Sequence, residues 1–304
     1  LIESVQLSGI RSQLNFALQE NPTDYGSDVS DYLHQGLKLR DYCSSYPFIQ
    51  IACNLNSINH LTGTTLERLA SYVNELELPL HIQCNTDSHE IQQSIKLWGS
   101  SPIQRLFDAG LLIPESQLNN VTHFEAKDLA LIQQSNCNLV ISAQTNLFNP
   151  TIMQSIKTLM ETENNISLAT SSTDNDSYNL WLELKAITQL AAFNSPDKTE
   201  SSIAHQALRM ATINGAKTLG LEAEIGSLEP HKYADIIAIE INSLSHQPMY
   251  NLAAQLITNN ASHLVTHSWV AGNALLEKGK LCQFDEHNLI QIAQNWGNKV
   301  QTSH

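Results

Sequence analysis

Strand-like and helix-like segments alternate six times along the larger part of this chain, and this alternation constrains the fold more than any other feature. The stretch before Pro79 shows the pattern, because Leu69, Val73 and Leu76 recur at the spacing of one helix face. Pro79 ends that helix, since proline has no N–H to donate, and a short apolar strand follows. The six predicted strands cover residues 10–18, 48–53, 78–83, 117–122, 138–142 and 166–170.

Short links between alternating strands and helices predict a parallel sheet with crossover helices, which is the α/β class. An open doubly wound sheet has the same local periodicity, whereas a closed (β/α)₈ barrel needs eight units and only six are counted. Ligands bind at the carboxyl ends of such strands. The predicted strand 78–83 runs there into Gln83, Asn85 and Thr86, and the first carboxylate is Asp87.

The pattern changes after Gly220, and this predicts a second, smaller unit. A turn at 226–230 precedes predicted strands at 234–240, 264–270 and 274–281, with a hairpin turn at 271–273 and a final helix at 288–299. We therefore predict a unit of alternating strands and helices over 1–220 and a β-rich unit over 221–304.

Charge and cysteine content exclude several classes of protein. The net charge is −14, from 16 Lys and Arg against 30 Asp and Glu, which argues against a nucleic-acid or anionic membrane partner. No apolar run approaches the roughly 20 residues that span a bilayer. The five cysteines are scattered without a C-x-x-C pair, which favours a reducing, cytoplasmic location.

Two stretches near the C-terminus carry a family resemblance. Residues 205–220 read His-Gln-Ala-Leu-Arg-Met-Ala-Thr-Ile-Asn-Gly-Ala-Lys-Thr-Leu-Gly, and residues 225–239 read Ile-Gly-Ser-Leu-Glu-Pro-His-Lys-Tyr-Ala-Asp-Ile-Ile-Ala-Ile. They closely resemble the C-terminal signature of the metal-dependent amidohydrolase superfamily, in its deaminase and chlorohydrolase branch. The segment 268–272, with Gly279 and Lys280, resembles the closing hairpin of that family.

The resemblance implies a (β/α)₈ TIM-type barrel, of which this chain supplies about strands three to eight, and a small C-terminal β-sandwich domain. The paired histidines of the family's first strand have no counterpart here, so we expect the chain to begin around the third strand. We expect either that an N-terminal segment exists elsewhere or that the open sheet edge is covered. The family hydrolyses carbon–nitrogen bonds with a zinc or iron ion that activates water.

Carried over residue by residue, the family's metal and proton-transfer positions fall on neutral side chains. The fifth-strand His and Glu fall on Gln83 and Thr86, the sixth-strand His on Asn120 and the eighth-strand Asp on Ser171. A substrate-contacting His falls near Asn56. Neutral amide and hydroxyl oxygens are poor zinc ligands, so we expect no bound metal.

Other polar residues near these positions have ordinary structural explanations. His81 and His123 match family histidines that are not ligands, and core histidines with satisfied hydrogen bonds are the simpler interpretation. Asp174 lies just past Ser171 and could reach the cavity, although a loop or helix-cap role is simpler. The candidate ligand-binding residues are Asn56, His81, Gln83, Asn120, His123, Ser171 and Asp174.

Two functions follow from this set. The favoured hypothesis is a catalytically inactive member of the family that binds a small polar ligand or acts in assembly. The alternative is an active hydrolase or deaminase whose metal ligands come from an upstream segment or a displaced site. The resemblance also suggests a homodimer.

Overall fold

The computed structural model describes residues 1–147, 149–170, 178–194, 197–242, 244 and 247–302. Its strands are β1 Ser12–Ala17, β2 Ile49–Leu55, β3 Leu80–Gln83, β4 Ser116–Asn119, β5 Asn138–Ile141, β6 Ile166–Leu168, β7 Ile236–Ile239, β8 Val265–Val270, β9 Asn273–Glu277 and β10 Lys280–Leu281. Its α-helices are α1 Ile2–Ser8, α2 Val29–Cys43, α3 Gly63–Leu76, α4 Ser88–Trp98, α5 Pro102–Asp108, α6 Ala126–Ser135, α7 Pro150–Met160, α8 Leu180–Asn194, α9 Glu200–Met210, α10 Ile213–Thr218, α11 Leu252–Thr258 and α12 Glu286–Thr302.

The first six strands form one parallel sheet in chain order, from β1 to β6. This confirms the predicted α/β class and the parallel sheet. Helices between the strands make the crossover connections that parallel pairing requires. Within the described residues β1 and β6 are the edges of this sheet, and closure into an eight-stranded barrel stays a prediction.

The segment around Pro79 folds as its sequence predicts. The Thr62 hydroxyl caps the start of α3 by accepting from the Thr65 N–H, and Leu69 and Val73 are buried on its apolar face. The helix ends before Pro79, and β3 then alternates, so that Leu80 and Ile82 are fully buried while His81 and Gln83 occupy the opposite face.

The second sheet has four antiparallel strands in the order β10-β9-β8-β7. The predicted hairpin turn lies at Ala271 and Gly272, both in the left-handed region, with φ of 47° and 81°. Arg11, which precedes β1, forms an ion pair of 3.0 Å with Asp235, which precedes β7, and this contact joins the two sheets.

The structure differs from the sequence-based prediction at three places in the C-terminal third. The helix predicted over 203–219 is divided at Ala211 and Thr212 into α9 and α10. This break lets α10 place Asn214 where its side-chain Nδ2 donates to the Ile166 carbonyl of β6 at 2.9 Å.

The other two differences are a divided strand and an additional helix. The strand predicted over 274–281 is the β9–β10 hairpin, because Lys278 and Gly279 turn the chain with positive φ. Helix α11 was not predicted. It packs on α8 and α9, and Ala253, Ala254 and Ile257 are buried. The helix has only seven residues and few large apolar side chains, so it has no clear periodic pattern in the sequence.

Candidate functional site

A chain of three hydrogen-bonded side chains crosses the carboxyl ends of β2 and β3. Asn54 donates from Nδ2 to the Asn56 amide oxygen at 2.7 Å, and its own amide oxygen lies 2.9 Å from Nδ1 of His81. The parallel register places Asn54 directly beside His81, which explains the contact. The structure thus brings together Asn56 and His81, two of the predicted ligand-binding residues, through a third residue that the sequence did not single out.

The hydrogen bond with Asn54 determines which ring nitrogen of His81 carries the proton. An amide oxygen can only accept, so Nδ1 of His81 carries the proton and Nε2 keeps a free lone pair. Burial lowers the pKa of His81 below its ordinary value, because desolvation penalises the charged imidazolium. At neutral pH His81 is therefore a neutral acceptor that lines the cavity on the inner face of the sheet.

Gln83 ends β3 one step beyond His81 on the same face. Its side chain is exposed, and its register partner is Asn119 of β4. Asn119 donates from Nδ2 to the Gln117 carbonyl at 3.1 Å. The two strand ends therefore present neutral amides where a divalent cation would require imidazole or carboxylate groups.

Thr86 and Glu90 close the loop that follows β3. The Thr86 backbone N–H and hydroxyl donate to Glu90 at 3.0 and 3.2 Å, and the Ser57 hydroxyl donates to the same carboxylate at 3.5 Å. Burial raises the pKa of Glu90, and the bonds from Thr86 oppose that shift. Thr86 is thus a loop-fixing residue, and Glu90 ties the loops after β2 and β3 together.

Asn85 and His123 join the ends of β3 and β4. Asn85 is fully buried in the left-handed region at φ 56°, and its Nδ2 donates to the His123 carbonyl at 2.9 Å. The Asn85 carbonyl accepts the backbone N–H groups of Thr122 and His123. The Nδ1 atom of His123 lies 2.9 Å from the Thr122 hydroxyl, so this half-buried histidine has a local partner.

Asn120 has a structural role at the end of β4. It adopts φ of 50°, and its amide oxygen accepts the Ser142 N–H at 3.0 Å. That bond fixes the turn beyond β5. Ser171 and Asp174, the remaining predicted site residues, lie outside the described residues.

A cavity of about 730 Å³ lies between the inner face of the first sheet, α10 and the start of β7. That volume is within the range of small-molecule sites. Of the predicted site residues, His81 lines it. The sequence did not indicate the other polar lining residues contributed by the sheet, which are Gln13, Asn15, Gln117, Asn119 and Ser167.

The described residues do not fit a catalytic zinc ion. Nowhere in the described ranges do three His, Cys, Asp or Glu side chains come together as ligands. His81 offers one ring nitrogen, Nε2, while the Asn120 oxygen accepts from Ser142 and Thr86 donates to Glu90. Zinc coordination by this set would require neutral oxygens that are weak donors.

The chain belongs to the amidohydrolase family, whose model matches residues 35–275. It is 35% identical over 301 residues to a 5-methylthioadenosine/S-adenosylhomocysteine deaminase of Teredinibacter turnerae, covering 99% of this chain and 68% of that protein. The deaminase of the same name from Saccharophagus degradans is 34% identical, with 97% and 66% covered. The chain therefore spans about two thirds of the length of these relatives.

Solved structures confirm the fold. An adenosine deaminase from Xanthomonas campestris with bound zinc superposes with a TM-score of 0.87 at 23% identity, covering 99% of this chain and 68% of that one. An atrazine chlorohydrolase from Arthrobacter aurescens complexed with zinc gives 0.83 at 19% identity, with 97% and 67% covered. These comparisons confirm the family resemblance drawn from residues 205–239.

A membrane-spanning helix is not found in the parts of the chain that the structure describes, since none is both long and apolar enough.

Proposed function

We propose that this chain forms part of a hydrolase that acts on a carbon–nitrogen bond of an adenosine-type substrate. The supporting observation is the 35% identity, over nearly the whole chain, to a protein named 5-methylthioadenosine/S-adenosylhomocysteine deaminase. The parallel sheet supports the same proposal, because its strand ends form the edge at which enzymes of this architecture act.

The proposal requires metal ligands from elsewhere. The family resemblance places Gln83 and Asn120 at the histidine positions, and the fit of zinc to the described residues is poor. An active enzyme would therefore take its ligands from residues that the structure does not describe, from polypeptide upstream of residue 1 or from another chain. About a third of the length of these relatives lies outside the part that they share with this chain, which is consistent with such a contribution.

Ammonia release from 5′-methylthioadenosine tests this function. The purified protein is assayed with added zinc, with iron and with a chelator, and the full-length relative from Teredinibacter turnerae serves as the positive control. Metal-dependent turnover that the chelator abolishes supports the proposal. Absence of turnover under all three conditions, while the relative is active, contradicts it.

The neutral strand ends favour a second candidate function, namely a binding protein without metal-dependent hydrolysis. Its basis is the hydrogen-bonded set Asn56, Asn54 and His81, in which two neutral amides accompany a single imidazole, whereas a catalytic metal needs about three imidazole or carboxylate ligands. Metal analysis separates the two candidates. One tightly bound zinc per chain would contradict the binding protein, and a metal-free chain that binds a small polar ligand would support it.

Two further properties stay proposals. A homodimer follows from the family resemblance, and light scattering of the purified protein tests it. A reducing, cytoplasmic location is consistent with the cysteines, since Cys43, Cys53, Cys84 and Cys137 are buried free thiols and Cys282 is an exposed one.

A further inference from the structure

The inner face of the first sheet is built from polar but uncharged side chains. Gln13 and Asn15 come from β1, His81 from β3, and Gln117 and Asn119 from β4, and all five line the cavity. The facing wall comes from residues 211–219, 225–228 and 235–237, and most of its lining residues are apolar. A polar, neutral face opposite an apolar wall is the composition of a small-molecule site.

One amide group of this face is a buried donor without a partner. Gln117 donates from Nε2 to the Gln13 amide oxygen at 3.1 Å and to the Thr218 carbonyl at 3.0 Å. The Gln13 oxygen is therefore occupied, while its Nε2 is buried and bonds to no other group in the described chain. A buried unsatisfied donor is costly, so this N–H group calls for an acceptor within the cavity.

An acceptor of the opposite kind lies on β3. Because Asn54 accepts the Nδ1 proton of His81, Nε2 offers a lone pair on a residue that lines the same cavity. The described lining residues thus offer a buried unpaired donor on Gln13 and an available acceptor on His81.

The charge on the cavity wall is already neutralised. Asp235 is the charged residue among the described lining residues. Both of its carboxylate oxygens accept from Arg11, at 3.0 and 3.3 Å, and one also accepts the Ala271 N–H at 2.8 Å. Among the described lining residues, neither a cationic nor an anionic ligand would find an unpaired counter-charge, and burial of an unpaired charge is strongly unfavourable.

We propose that this cavity binds an uncharged ring compound that carries a carboxamide or lactam group, whose oxygen accepts from Gln13 and whose N–H donates to His81. This proposal goes beyond the proposed function, because Gln13 and Gln117 lie near the amino ends of β1 and β4 and not at the carboxyl ends where hydrolysis is proposed. It names the group that is recognised and predicts selection against charged analogues, and it does not require hydrolysis.

Binding of matched probe pairs tests the proposal. Nicotinamide is compared with nicotinate, and uracil with orotate, by ligand-observed NMR and calorimetry at millimolar concentration in the presence of a chelator. Each pair keeps the ring and differs by a carboxylate. We expect at least one uncharged probe to bind saturably and its carboxylate partner to bind at least about tenfold more weakly.

Variants of the cavity assign the interaction. Gln13→Leu and His81→Phe are each expected to lower the affinity for the uncharged probe by about tenfold, because each removes one hydrogen bond in a buried site. Gln50→Leu is the matched control, because Gln50 pairs with Gln13 on β2 but does not line the cavity. Circular dichroism verifies that all three variants are folded.

Three outcomes would overturn the proposal. They are equal affinity for the carboxylate probes, equal weakening by Gln50→Leu and Gln13→Leu, and absence of saturable binding by both uncharged probes. Because the chelator is present throughout, these outcomes are independent of turnover. A protein that fails the hydrolysis assay can therefore still pass or fail this binding experiment.

Discussion

The amide oxygen of Asn54 lies 2.9 Å from Nδ1 of His81, and this contact links neighbouring strand ends of the first sheet. The residues are 27 positions apart in sequence and adjacent in the parallel register. The contact determines which nitrogen of His81 carries the proton, and therefore which nitrogen is available in the cavity.

Replacement of Asn54 by Asp tests this relationship. The substitution keeps the shape of the side chain but places a carboxylate against Nδ1, and a nearby negative charge raises the pKa of a histidine. We expect the pKa of His81 in Asn54→Asp to be higher than in the parent protein by about one unit or more. The measurement is an NMR titration of the His81 ring.

Asn56→Asp is the control for that titration. Asn56 bonds to Asn54 and not to His81, so its carboxylate lies one residue further away and should shift the pKa of His81 less. An unchanged His81 pKa in Asn54→Asp would show that the two side chains are not in contact in solution.

The lowered pKa of His81 also predicts how stability depends on pH. In the unfolded chain His81 binds a proton as the pH falls through about 6.5, whereas in the folded protein it stays neutral to lower pH. The unfolded state thus binds more protons in this interval, so the free energy of unfolding falls as the pH drops below about 6.5.

Urea unfolding between about pH 5 and pH 8 measures this effect. Comparison with His81→Phe removes the contribution of the other histidines, because these titrate equally in both proteins. We expect the parent protein to lose more stability than His81→Phe over the acid half of this range. Parallel curves for the two proteins would contradict a neutral, buried His81.

The sequence predicts the local part of this architecture well. Helix α3, Pro79 and β3 follow from apolar spacing and proline chemistry, which act over a few residues. The neutral side chains at Gln83, Thr86 and Asn120 are also visible from the sequence, and their identity alone argues against a zinc site built from them.

Long-range register accounts for what the sequence does not predict. The contact of Asn54 with His81 and that of Gln13 with Gln117 depend on pairing between strands, and no periodicity in one strand specifies its neighbour's side chain. The bond from Ser142 to Asn120 is of the same kind. The family resemblance predicts that Asn120 stands at a histidine position, and the structure shows the contact that its side chain makes.

Arg105 holds the loop between β2 and α3, and its loss should destabilise the protein strongly. Its guanidinium is buried, donates to the Ile58 carbonyl at 2.8 Å and to the Leu61 carbonyl, and lies 4.4 Å from the centre of the Trp98 ring. Arg105→Met leaves two buried carbonyls without these donors, so we expect a loss of about 2–5 kcal/mol in the free energy of unfolding.

Chemical denaturation of Arg105→Met beside Arg68→Met provides the comparison. Arg68 is exposed on α3 and contacts the Tyr72 ring at 6.0 Å, so its replacement should change stability by at most about 0.5 kcal/mol. Similar losses in the two variants would mean that the buried bonds of Arg105 do not stabilise the loop.

Gly36 lies where α2 crosses β1, and it provides the space that the Phe16 ring occupies. A Cβ atom at position 36 would lie 2.5–2.6 Å from three atoms of that ring, closer than van der Waals contact allows. Gly36→Ala should therefore destabilise the protein by about 1–3 kcal/mol, although alanine normally favours a helix. Gly63→Ala is the matched control, because no atom lies within 4 Å of the added methyl group and the stability of α3 should rise slightly.

In a Phe16→Leu background the smaller side chain leaves room, so Gly36→Ala should lower the free energy of unfolding much less there. A cost that is the same in both backgrounds would place its origin in the helix and not in the packing of α2 on β1.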